Sequence, residues 1–280
     1  MSVKIMIDSA SDINETEAKK LGFIFMPIEV RFADEEYFDG VNLLPTDFFD
    51  KLSSCKDMPQ TSLINSYRWC KAFEEATKNG DEVVAITLSS KISGTYNAAV
   101  ESAKEFNGKV FVVDSLNATL GERLLGLYAL ELAKQGLSAK EIAEKLDEQK
   151  SKLKVIAVID TLKYLKKGGR ISATTAFFGE MLSIKPLIAV IDGKVEVIGK
   201  VKGNKKANQF LISKVEELGG INFDMPYGLL YSGNDKTNID KFETDCEYLF
   251  ANIKPDTFPL GCTIGTHIGP GAVGISFFTK

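Results

Sequence analysis

Glu82-Val83-Val84-Ala85-Ile86-Thr87-Leu88-Ser89-Ser90-Lys91-Ile92-Ser93-Gly94-Thr95-Tyr96-Asn97 decides the fold. The apolar, β-branched run from Glu82 to Leu88 predicts a strand buried on both faces. Small hydroxyl residues and a glycine follow it, and then a helix through about Phe106. Upstream the same rhythm recurs. Val3 to Ile7 is a strand, Asp8-Ser9-Ala10-Ser11-Asp12 a polar loop, and about Glu15 to Leu21 a helix. Phe23 to Phe32 reads as a second strand region and Pro45 to Ser54 as a short helix. Pro59-Gln60-Thr61-Ser62 is a polar loop before a helix from about Ser66 to Lys78. Downstream, Lys109 to Asp114 is a strand, followed by amphipathic helices over about 118–134 and 139–150. Alternating β and α elements of this kind predict a mostly parallel sheet with helices on both faces.

From Lys154 the pattern changes. Lys154 to Ile159 is a strand, Leu165-Lys166-Lys167-Gly168-Gly169-Arg170-Ile171-Ser172 a basic turn, and 173–182 a helix. Asp192-Gly193 predicts a hairpin between 187–191 and 194–201. Helices around 205–218 and 238–252 flank a strand at Gly228 to Tyr231. A short strand near Phe258, a glycine-rich turn and a strand at Gly274 to Phe278 close the chain. Hairpins here replace pure crossovers. The fold class is therefore α/β in two domains: an N-terminal, mostly parallel α/β/α sheet (1–155) and a C-terminal mixed-sheet α/β domain (156–280).

The totals exclude several functions. The chain has 280 residues, long enough for two ordinary domains, and a net charge of -4 that offers no general attraction to nucleic acid. Cys55, Cys70, Cys246 and Cys262 are scattered, without the spacing of a zinc site or a disulfide framework. Met1 to Asp8 lacks the basic start and apolar core of a signal peptide, and no run is long enough to span a membrane. A cytoplasmic protein with reduced thiols and no integral membrane segment is expected. The Lys166–Arg170 turn lacks Walker spacing, and no Gly-x-Gly-x-x-Gly follows a strand, so no nucleotide, metal or other cofactor is expected.

Four hydroxyl-rich segments fall at strand ends: Ser9 and Ser11; Thr61 and Ser62; Ser89, Ser90, Ser93 and Thr95; and Thr266 with His267. The first and third share one edge of a parallel sheet, where ligands bind. Singly, each is also explained as a cap. His267, the sole histidine, reads as lying on a tight turn in Gly265-Thr266-His267-Ile268-Gly269-Pro270-Gly271, where hydroxyl, imidazole and free N–H groups could grip an oxyanion. A Ser93–His267 nucleophilic pair oriented by Asp8, Asp12 or Asp114 is the hydrolase alternative, although no Gly-x-Ser-x-Gly elbow is present. Phe177, Phe178, Met181, Leu182 and Ile184 form an apolar block suited to a core or a tunnel wall.

Six segments carry a resemblance: Asp8-Ser9-Ala10-Ser11-Asp12, Gln60-Thr61-Ser62, Ser89 through Tyr96, Leu165 through Ser172, Ile184-Lys185-Pro186, and Gly265 through Ala272. In this order, across nearly the whole chain, they resemble the DegV family of bacterial fatty-acid-binding proteins, which includes the acyl-binding subunits of bacterial fatty acid kinase. The resemblance implies one long-chain, palmitate-like fatty acid in a cleft between two domains. Thr61, Ser93 and His267 would hold its carboxylate, with Thr266, Ser62 and Lys202 nearby. Ser9, Ser11, Gly94, Thr95, Phe177, Phe178 and Gly269 would shape the pocket. It also implies a non-catalytic role, as carrier or as the subunit that presents the acid to an ATP-dependent kinase for acyl-phosphate formation and phospholipid metabolism. Arg170 and Lys167 would then dock the partner. Family members often carry arginine where Lys202 stands; lysine keeps the charge and loses the fork. A triose-binding module related to dihydroxyacetone kinases is the other alternative.

Overall fold

The computed structural model describes residues 2–171, 183–250 and 253–280. The helix expected over 173–182, with Phe177 and Phe178, lies outside the described residues. In chain order the first half holds β1 (Val3–Asp8), α1 (Glu15–Leu21), β2 (Phe23–Met26), β3 (Glu29–Phe32), β4 (Glu35–Phe38), α2 (Pro45–Ser54), β5 (Gln60–Ser62), α3 (Ser66–Thr77), β6 (Glu82–Thr87), α4 (Thr95–Ala103), β7 (Val110–Asp114), α5 (Leu120–Lys134) and α6 (Ala139–Gln149). The second holds β8 (Leu153–Val158), α7 (Lys163–Lys167), β9 (Ile184–Ile191), β10 (Lys194–Lys202), α8 (Asn204–Glu217), β11 (Gly228–Tyr231), α9 (Thr237–Cys246), β12 (Thr257–Pro259), α10 (Cys262–Ile268) and β13 (Val273–Phe278).

Three sheets result. A parallel sheet runs β2-β1-β6-β7, and a mixed sheet runs β10-β9-β8-β13-β11-β12. A small antiparallel sheet runs β4-β3-β5. The fold is α/β with one parallel and one mixed sheet. Asp192-Gly193 turns β9 into β10, with both residues at positive φ as a type I′ connection requires.

Helix α5 lies between the two large sheets, touching β1 and β6 on one side and β8 and β13 on the other. Two glycines permit this. A methyl on Gly126 would come within 2.7 Å of Ile7, and one on Gly121 within 2.5 Å of Val155. Local signals set many helix starts: Asn14 and Asn65 cap α1 and α3, and Ser138 with Glu141 forms a capping box on α6.

Three segments differ from the reading of the sequence. Phe23 to Phe32 is two strands in different sheets, because Pro27 has no N–H to give to a ladder and the chain crosses there. Gln60 to Ser62 is not a loop but a strand, held by pairing with Glu29 to Arg31. The histidine segment is not a hairpin turn: Cys262–Ile268 is a helix, and the turn begins only at Gly269. Its glycines would disfavour a helix on propensity alone. Distant carboxylates cap it, and Gly265 lets it sit on Phe48 and Phe49, where a methyl would meet rings at 2.7 and 3.0 Å.

Candidate functional site

Between the two large sheets lies a cavity of about 260 Å³. Leu88 and Ala118 line it from the first half, Val155, Ala157, Ile159, Ile188 and Val190 from the mixed sheet, and Leu230 from β11. Helix α10 runs along it. Thr263, Ile264, His267 and Ile268 face the space, the spacing of one helical face, and Leu260 does so just before the helix. Most of the wall is therefore apolar; Thr61, Ser62, Ser93, Arg170 and His267 form a polar end, and Thr119 and Thr263 add two hydroxyls to the lining.

At that polar end His267 Nε2 lies 3.0 Å from Thr61 Oγ1. Its Nδ1 is buried without a partner among the described residues, pressed against Gly168, where even a methyl would collide with the ring. A proton on Nδ1 would be an orphaned buried donor, so the ring proton belongs on Nε2, donating to Thr61. Burial, helped by the nearby Arg170 guanidinium, lowers the His267 pKa to about 4. The imidazole is thus neutral at pH 7. Ser93 Oγ lies 3.0 Å from Thr95 Oγ1 and accepts the Thr95 N–H at 3.2 Å. Arg170 donates to Gly168 O at 2.6 Å and to Ile92 O at 3.4 Å, which sets its guanidinium into the wall. The end of the cavity offers neutral hydroxyl and imidazole donors with one guanidinium close by, a set suited to an oxyanion.

The DegV family model, described as an uncharacterised protein family, matches residues 2–280. The chain belongs to the DegV family. It is 34% identical to a DegV domain-containing protein of Caldanaerobacter subterraneus subsp. tengcongensis, with 99% of each chain covered. A DegV family protein of Thermus thermophilus, solved as a fatty acid binder, superposes with a TM-score of 0.88 at 30% identity. A Thermotoga maritima protein whose structure is described as revealing fatty acid binding gives 0.85 at 27%. Both structures are covered completely, as is this chain.

In this DegV chain Thr61, Ser62, Ser93, Gly94 and His267 meet at the cavity. Other residues expected there do not line it. Ser9 Oγ accepts the N–H of Ile28, and Ser11 Oγ donates to Asp8 O. Thr266 Oγ1 donates to Cys262 O, one turn back along its own helix. Thr95 Oγ1 stands behind Ser93 and accepts the Ile64 N–H. Gly269 ends α10 at φ 75°, tight against the Tyr164 ring. Lys202 is exposed at the end of β10, and Lys167 is exposed on α7. Arg170, expected to face a partner, is instead half-buried in the cavity wall.

No hydrolase triad forms among the described residues. His267 faces Thr61 rather than Ser93, and Asp8, Asp12 and Asp114 all accept other donors. Nor does any group of three or more metal-ligating side chains occur among them. No described helix is long and apolar enough to cross a membrane.

The sequence did not disclose a group of buried carboxyls behind the cavity. Asp8 accepts the N–H groups of Ala10 and Leu88, and Asp12 those of Gly261 and the Thr119 hydroxyl. Burial raises both to about pKa 7 against those hydrogen bonds. Glu122 lies beside Asp8, and burial, with the neighbouring Asp8 and Asp12 carboxylates, pushes it well above the usual range. With two N–H donors already on Asp8, Glu122 is the group that holds a proton.

Proposed function

We propose that this chain holds one long-chain, palmitate-like fatty acid, its acyl tail in the apolar cavity and its carboxylate on Thr61 and Ser93, with His267 supporting the site by donating to Thr61. The observation that carries this reading is an apolar space between the two large sheets that ends in hydroxyl, imidazole and guanidinium groups. The fatty acid binding described for the similar Thermus, Thermotoga and Eubacterium ventriosum proteins supports it. His267 donates to Thr61, and the Thr95 N–H to Ser93, so each hydroxyl has a proton to offer a carboxylate oxygen. Such charge-assisted bonds contribute about 1.5–3 kcal/mol each. The tail contributes about 0.8 kcal/mol per buried CH₂, so the cavity supplies most of the affinity.

In this reading the chain is a carrier, or a non-catalytic subunit that offers the carboxylate to an ATP-dependent kinase, and the division between its two halves falls near residue 155. Lys167, exposed on α7, is the docking candidate, while Arg170 belongs to the wall of the polar end. Mass spectrometry of an organic extract of the purified protein tests the reading. A fatty acid near one per chain supports it; an empty extract, with no uptake of added palmitate, overturns it.

A further inference from the structure

The small sheet β4-β3-β5 holds α10 at both ends. At one end, Asp39 directly follows β4 and is 2% exposed. Its two carboxylate oxygens accept the N–H groups of Cys262 at 3.0 Å and Thr263 at 2.9 Å, the first turn of the helix. At the other end, Thr61 on β5 meets His267. Strand β3 lies between them and pairs with both neighbours: Glu29 opposes Phe38 on one side and Ser62 on the other. The dimensions agree. Cys262 to His267 rises about 7.5 Å along a helix, and two strand spacings cover about 9.5 Å.

Asp39 is itself fixed. Its N–H donates to Ile28 O at 2.9 Å, and Gly40, at φ 73°, leaves no room for a methyl beside Asn14. Helix α10 has seven residues, two of its N–H groups end on this one carboxylate, and so short a helix does not stand by itself.

We infer that Asp39 is a positioning residue for the carboxylate site, acting through α10 to hold His267 against Thr61. The inference rests on the fatty-acid reading above and adds to it a residue that never touches the ligand.

The experiment compares palmitate with cetyl alcohol, which has the same tail and no charge, by calorimetry on the full chain. Wild type is expected to prefer palmitate by roughly tenfold or more, the worth of charge-assisted bonds. In Asp39→Asn that preference collapses, with affinity for the alcohol changed by less than about threefold. Equal weakening of both ligands overturns the inference, because a general loosening of the fold acts on the tail as well. If Asp39→Asn does not fold, Asp39→Ser, which keeps one acceptor for the same N–H pair, is measured with the same two outcomes. If neither folds, Asp39 serves the fold alone and the inference is overturned. Absence of a palmitate preference in wild type overturns the carboxylate reading first, and this inference with it.

Discussion

His267 Nε2 and Thr61 Oγ1 lie 3.0 Å apart, although 206 residues separate them in the chain. The pair joins a helix of the second half to a strand of the first, at the polar end of the cavity. A neutral imidazole that donates to a hydroxyl leaves that hydroxyl free to donate onward.

Thr61→Val keeps the shape and removes the relay. Palmitate affinity is expected to fall by about 1.5–3 kcal/mol, roughly ten- to a hundredfold. Thr61→Ser should stay within a few-fold of wild type. Titration calorimetry of both variants checks this, and equal loss in the two would assign the effect to packing.

The histidine also predicts a pH dependence. Its pKa falls from 6.5 to about 4 on folding. Between those values the unfolded chain takes up a proton that the folded protein refuses. The contribution is full above pH 6.5 and is lost as the pH drops toward 4, by about 2 kcal/mol. Urea unfolding of wild type and His267→Gln at neutral pH and at about pH 4.5 should show the variant gaining on wild type by that amount in acid.

Glu122 runs the opposite way. A carboxyl held protonated by burial costs nothing in acid, and its penalty grows as rising pH ionises it in the unfolded chain. Glu122→Gln should therefore gain stability relative to wild type from about pH 5 upward, by at most about 1.4 kcal/mol per pH unit. A flat difference between the two denaturation series would show that Glu122 is charged in the folded protein.

Ala157 lines the cavity from β8, with Gly274 opposite it on β13. Ala157→Leu fills part of the acyl space, so preference should move from palmitate toward shorter acids, at a stability cost of about 1–3 kcal/mol. Competition between acids of graded length provides the measurement. Uniform weakening at every length would place the tail elsewhere.

Much of the fold was legible because it is local. The apolar run at Val83 to Thr87 and the turn at Asp192-Gly193 announce a strand and a hairpin by period and backbone chemistry alone. Helix α10 was not legible, because the carboxylate that caps Cys262 stands 223 residues away and the glycines argue for a turn. Strand β5 is three polar residues long and exists only through its partner β3. The hydroxyl pattern named Thr61 and Ser93, which line the cavity. It could not tell them from Ser9, Ser11 and Thr266, whose oxygens bond the backbone instead, since that choice depends on which way each side chain turns.

The wide sequence separation across the polar end also has a meaning in time. At roughly 5–20 residues per second of synthesis, some 10–40 s pass between the making of Thr61 and of His267. Within that interval the parallel sheet is completed at Asp114 while the wall formed by α10 does not yet exist. The nascent chain must keep Leu88 and Ala118 from sticking to one another or to strangers, and a fatty acid has no closed berth until α10 arrives. In the fatty-acid reading, loading therefore waits until α10 has been made.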